Sequence, residues 1–128
     1  MTGVLDDWAE DWIQILVRDK FKCVYCGLDG ANNGNAFRQL VVCLDHLVPR
    51  SSYNKDTEDI ENRVTCCWAC NRAKSDFNPA DEEKDKGLNK QQQRLARIGR
   101  VQERLKKTDD LSDYFTRVLS ALKQRSAR

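Results

Sequence analysis

Two Cys-x-x-Cys pairs, Cys23 with Cys26 and Cys67 with Cys70, constrain this chain of 128 residues more than any other feature. Each pair can place two thiolates on one ion, and four thiolates close a tetrahedral structural zinc site. A redox role fits less well, because a thioredoxin-like motif does not come twice or without its βαβ setting. The stretch Met1 to Glu10 is acidic and carries no basic-then-apolar leader, so the expected location is cytoplasmic, where thiols stay reduced and metal is favoured over disulfides. Cys43 lies in an apolar segment and is expected to pack as a small hydrophobe. Cys66 competes with Cys67 for the ion, although the two-residue spacing favours Cys67.

The length suits one compact domain. With 33% charged and 40% hydrophobic residues and a mean hydropathy of −0.73, the chain is too polar for a membrane protein and too rich in Leu, Val, Ile and Trp to be disordered. No apolar run approaches the roughly 18 residues needed to span a bilayer, so no membrane partner is expected. The net charge of +2 hides a division: residues 1–83 carry 9 basic and 15 acidic residues, and residues 84–128 carry 13 and 5. A basic C-terminal part suggests a polyanionic partner, although a solvated helix surface is the commoner reason for a charge run.

Leu5, Trp8, Ala9, Trp12, Ile13 and Leu16 follow helical spacing and predict an amphipathic first helix. Gly27 permits a tight turn after Cys26, and residues 28–36 read as a loop. Phe37 to Val48 is apolar, partly β-branched and closed by Pro49, and reads as a strand. Arg63 to Cys66 supplies a short return strand, and a helix follows from Cys67 or Trp68. Beyond residue 81 the chain turns to helix formers. Leu88, Leu95, Ile98 and Leu105 make one stripe, and Lys86, Lys90, Arg94, Arg97, Arg104 and Lys107 a roughly opposed basic one, with a kink or break allowed at Gly99. Thr108 is a candidate N-cap for a last helix with Asp109, Asp110 and Asp113 in its first turn. Its apolar face of Leu111, Phe115, Val118, Leu119 and Leu122 suits docking on the core, a homodimer or another protein partner.

His46 is the only histidine, and it follows Asp45 at the end of the apolar segment. A lone histidine near an apolar segment is more often structural than catalytic, and its neighbours decide. Asn71 directly follows the last cysteine of the second pair, in a helix whose start a zinc ion would pin. If the hairpin folds Asp45 toward Asn71, a carboxylate and an amide oxygen face each other. Such a pair suits a hard cation, magnesium or manganese, that keeps open positions for phosphate. A neutral imidazole beside it is a competent general base for water.

Cys23-Val24-Tyr25-Cys26-Gly27, then Leu44 to Arg50, then Glu61-Asn62-Arg63-Val64, and finally Cys67 to Lys74 follow one another in an order and spacing that resembles the HNH endonucleases. The resemblance covers about residues 20–78. It implies an α+β fold: a small zinc-stabilised ββα-metal core, with an N-terminal helix and a helical C-terminal extension. By the same resemblance His46 is the general base, Asp45 and Asn71 are ligands of a catalytic magnesium or manganese ion, and Asn62 braces the active-site loop. An asparagine at the last position makes this an HNN variant. The resemblance further implies hydrolysis of DNA to 5′-phosphate and 3′-hydroxyl ends.

The expected organisation is a nuclease unit over residues 1–80 and a basic helical extension over 81–128 that is not an independent domain. Arg50, Arg72 and Lys74 are candidates to hold phosphate beside the metal, and Lys90, Arg94 and Arg97 to follow the DNA from the basic stripe. The competing expectation is a zinc-containing nucleic-acid-binding module without catalysis.

Overall fold

The computed structural model describes residues 3–41, 44–52, 57–108 and 111–127. Its first helix, α1, spans Glu10–Arg18 and buries Ile15 and Leu16, with Glu10 and Asp11 at the positive end of the dipole and Arg18 at the negative end. The expected start at Leu5 is corrected. Gly3 donates its N–H to the Asp6 carboxylate and accepts from the Asp6 N–H, a local turn that competes with helix, and Leu5 is left exposed. Trp8 and Trp12 still meet edge to face, 6.0 Å apart.

After α1 the chain enters the first cysteine turn, where the Gly27 N–H donates to the Cys23 carbonyl and Gly27 takes a φ of 80°. Gly30 lies against the next segment so closely that a Cβ there would meet the Phe37 Cα at 2.8 Å. That next segment departs from expectation. Instead of a strand over Phe37 to Val48, a short helix, α2 (Gly34–Phe37), is capped by the Asn33 side chain, and a turn follows that buries Leu40. Among the described residues of this stretch, only Asp45–His46 form a strand, β1. An apolar run of this length looks alike whether it is strand or buried turn, and the Asn33 cap decides for helix. Cys43 lies outside the described residues.

β1 pairs antiparallel with β2 (Arg63–Val64), Asp45 opposite Val64 and His46 opposite Arg63. A 3-10 turn, Ile60–Asn62, immediately precedes β2. Helix α1 is tied to this hairpin by the Arg18 guanidinium, which donates to the carbonyls of Ile60 and Arg63, and by an Arg63–Asp11 ion pair at 2.7 Å. Helix α3, Trp68–Lys74, starts at Cys67, whose sulfur caps it by accepting from the Cys70 N–H. The order strand, strand, helix is the ββα unit of an α+β fold with a four-cysteine cluster.

The C-terminal part comprises α4 (Glu82–Asp85), α5 (Lys90–Thr108) and α6 (Leu111–Ser126). A reciprocal cap between Asn89 and Gln92 opens α5. The helix runs unbroken through Gly99 and sends Val101 and Leu105 into the same core as Cys23, Tyr25, Leu40, Leu47 and Val64. The expected apolar stripe is corrected at Leu95, which is exposed, whereas Arg94 is buried. The basic stripe is therefore not one solvent-facing surface. Helix α6 packs on α3, with Phe115 6.3 Å from Trp68. Leu119 and Leu122 are exposed, and the expected first-turn Asp109 and Asp110 lie outside the described residues. No helix among the described residues is long and apolar enough to cross a membrane.

Candidate active site

Four sulfurs, of Cys23, Cys26, Cys67 and Cys70, lie within 4.8 Å of one another, the Cys26 and Cys67 pair at 3.8 Å. Ligands about 2.3 Å from a tetrahedral zinc ion stand about 3.8 Å apart, so the cluster has the size of a metal cage. Cys66 is outside it: its thiol donates to the Cys67 carbonyl at 3.2 Å. The neighbouring Cys23 sulfur, and then burial, hold the Cys66 thiol well above its ordinary range. The sulfur that the two-residue spacing favours, that of Cys67, is the one in the cluster.

Beside the cage, β1 presents Asp45, buried at 6% exposure. Its carboxylate is the centre of a small network. Tyr25, seated between the two cysteines of the first turn, donates its hydroxyl to Oδ2, and the Lys74 ammonium lies 3.4 Å from the same oxygen. Asn71 donates from Nδ2 to Oδ1 at 3.2 Å. Burial raises the Asp45 carboxyl above its ordinary value, against the pull of Lys74 and Tyr25. Each partner comes from a segment anchored by a cage cysteine: Tyr25 from between Cys23 and Cys26, Asn71 and Lys74 from the helix behind Cys70.

His46 follows on β1. Its Nε2 lies 3.0 Å from Glu58 Oε1, and its carbonyl accepts from Lys74 Nζ at 2.9 Å. Burial holds the imidazole below its ordinary pKa, with Arg50 adding to that effect and Glu58 opposing it. Asn62 is buried and its side chain makes three hydrogen bonds: Oδ1 accepts from the Val48 N–H, and Nδ2 donates to the carbonyls of Val48 and Thr57. Its own carbonyl accepts from the Leu47 N–H at 2.8 Å, so Asn62 closes the segment on the C-terminal side of His46 against β2.

The basic candidates divide. Arg72 is exposed and stacks on Trp68, its guanidinium 5.8 Å from the ring centroid. Arg50 is exposed but engaged by Glu58 at 2.7 Å. Lys74 is not a surface residue; its side chain is 1% exposed and bridges Asp45 to the His46 carbonyl. Along α5, Lys90 pairs with Asp59 at 2.6 Å. Arg94 is buried between Glu61 and Asp19, and Arg97 pairs with Asp85. These three charges are matched by Asp59, Glu61, Asp19 and Asp85, which a helical-wheel reading of α5 alone does not reveal.

Two contributors escaped the sequence reading. Tyr25 carried a weak signal in its place between Cys23 and Cys26. Glu58 carried none, since nothing in a polar connection marks one acid as the partner of His46.

Residues 23–77, somewhat under half of the chain, match the family model described as HNH endonuclease. No curated protein and no solved structure matches the chain.

Proposed function

With an HNH endonuclease domain at residues 23–77 as the premise, we propose that this chain is a metal-dependent endonuclease that hydrolyses DNA phosphodiester bonds. The observation that carries the reading is the meeting of Asp45 and Asn71 at 3.2 Å, with His46 next in the chain and its ring nitrogen held by Glu58. A structural metal site alone would need none of these.

The sulfur cage is read as a zinc site, because four thiolates at this spacing match zinc. A second, harder ion is read at Asp45 and Asn71, whose oxygen donors suit magnesium or manganese. When bound there, that ion supplies positive charge to offset the charge that develops on the phosphate and on the departing 3′ oxygen.

The chain's own residues perform the rest. An imidazole that donates Nε2–H to Glu58 carries its lone pair on Nδ1. Because burial favours the neutral ring, that lone pair is available at pH 7 to take a proton from the attacking water. Glu58 then steadies the imidazolium. Tyr25 and Lys74 occupy Oδ2 of Asp45 and turn Oδ1 toward Asn71. Rotating the Asn71 amide exchanges Nδ2 for Oδ1, so the same placement serves a cation between the two side chains. Asn62 fixes the segment after His46, which keeps the base in register with the carboxylate. One such site cuts one strand and leaves 5′-phosphate and 3′-hydroxyl ends; a double-strand break takes two copies or two successive nicks.

Incubating supercoiled plasmid with zinc-loaded protein and magnesium or manganese tests the reading. Nicking is expected, and His46→Ala should slow it by about 10²- to 10⁴-fold with the thermal transition unchanged. Binding without nicking at any divalent ion, or undiminished nicking by His46→Ala, would overturn it.

A further inference from the structure

An open cleft of about 640 Å³ runs between α3, α5 and α6, and one of its lining residues is Asn71. Arg72 of α3, Arg104 of α5 and Arg117 of α6 line it together with Phe77 and Tyr114. All three arginines are exposed. One carboxylate, Asp76, also lies in the lining. We propose that this cleft is the track for the DNA backbone flanking the scissile phosphate, and that α6 is therefore part of the nucleic-acid site.

The proposal rests on the nuclease reading for its direction, because it places the scissile phosphate at Asn71. A continuous polyanion that passes Asn71 must leave across a neighbouring surface. The cleft gathers three guanidiniums from three separate helices beside Asn71. A guanidinium presents a planar fork of N–H donors that matches two phosphate oxygens. Arg72 stacks on Trp68 and Arg104 lies 5.1 Å from the centroid of Phe77. Ring stacking engages the face of a guanidinium, whereas phosphate binding uses its in-plane edge, so both contacts are compatible and the stacking orients the fork. Arg117 and Tyr114 lie on α6, outside residues 23–77, so this wall of the cleft is an addition of this chain to the matched domain.

Binding to a fluorescent duplex, measured by anisotropy across a salt series with zinc-loaded protein and no magnesium, tests the track without a cleavage step. Arg117→Ala is expected to weaken binding on the order of fivefold at intermediate salt and to lower the slope of log K against log salt by about 1, as for loss of one phosphate contact. Arg104→Ala should do the same, and the pair together should lower the slope by about 2. Lys123→Ala, on α6 but outside the cleft lining, should leave the slope within error. Should Arg104→Ala lower the melting temperature, Arg117→Ala decides alone. An unchanged slope in Arg117→Ala, or an equal change in Lys123→Ala, overturns the track. If the slopes fall as expected but the wild type never nicks plasmid, the cleft is a DNA-binding surface and the nuclease reading fails; if plasmid is nicked and the slopes do not move, only the track fails.

Discussion

Asp45 and Asp85 are each 6% exposed at their surfaces, yet Asp45 lies deeper in the protein and the chain surrounds the two in opposite ways. Asp85 is fully answered. Burial alone would raise its carboxyl, but the Asp81 N–H and the guanidiniums of Arg100 and Arg97 outweigh that and hold it below the ordinary carboxylate range. Asp45 has one ammonium at 3.4 Å, a phenol hydroxyl and an amide, and there burial prevails and the carboxyl is raised. A buried acid with two arginines is a structural clamp between α4 and α5. A buried acid whose carboxyl stays raised, beside the only histidine, is where the proposed function puts a further cation. The difference separates the part of the molecule that is held together from the part that is held ready.

The largest break in this comparison is removal of the cage that rigidifies the Asp45 side. Cys67→Ser should lose zinc by elemental analysis and with it the cooperative thermal transition, because metal binding and folding are one equilibrium in a small thiolate site. Cys66→Ser should keep its zinc, since that sulfur lies outside the cage.

Next in size is the clamp itself. Asp85→Ala leaves two guanidiniums without their acceptor and should cost about 2–3 kcal/mol of stability by chemical denaturation. Its pH dependence has a definite sign. A carboxyl held below its unfolded value of about 3.9 adds stability above that pH and loses it as pH falls through the folded value. The acid side of the stability profile, below about pH 4, should therefore be shallower in Asp85→Asn than in wild type.

A smaller change sharpens the other side. Tyr25→Phe keeps the ring in the core but removes the hydroxyl that holds Asp45 Oδ2. Zinc content should be unaffected, the melting temperature should fall by only a few degrees, and nicking should slow about tenfold. An unchanged nicking rate would mean that the phenol serves packing alone.

Much of the site was legible because it is written in short-range spacing. Cysteine pairs two residues apart, the Asp45–His46 step and the start of α3 behind Cys67 are local features, and the structure keeps them. What failed was local reading of a nonlocal outcome. The apolar run from Phe37 holds a capped helix and a buried turn because Leu40 reaches the shared core, a contact that periodicity does not encode. The basic stripe on α5 was broken by partners far away in sequence: Arg94 meets Glu61 and Asp19, and Arg97 meets Asp85. Lys74, a candidate to hold phosphate by sequence, is buried against β1, because its position on a short helix says nothing of the hairpin that covers it. Charges that look free on one helix are spoken for once the elements meet.

The most direct measurement of the central claim is manganese binding, followed by electron paramagnetic resonance, to zinc-loaded His46→Ala carrying a bound duplex it cannot cut. The account predicts one tight manganese site per chain above the duplex blank. Adding Asp45→Ala should abolish that site, whereas adding Asp85→Asn should leave it. Equal manganese binding with and without the Asp45 carboxylate would contradict the account.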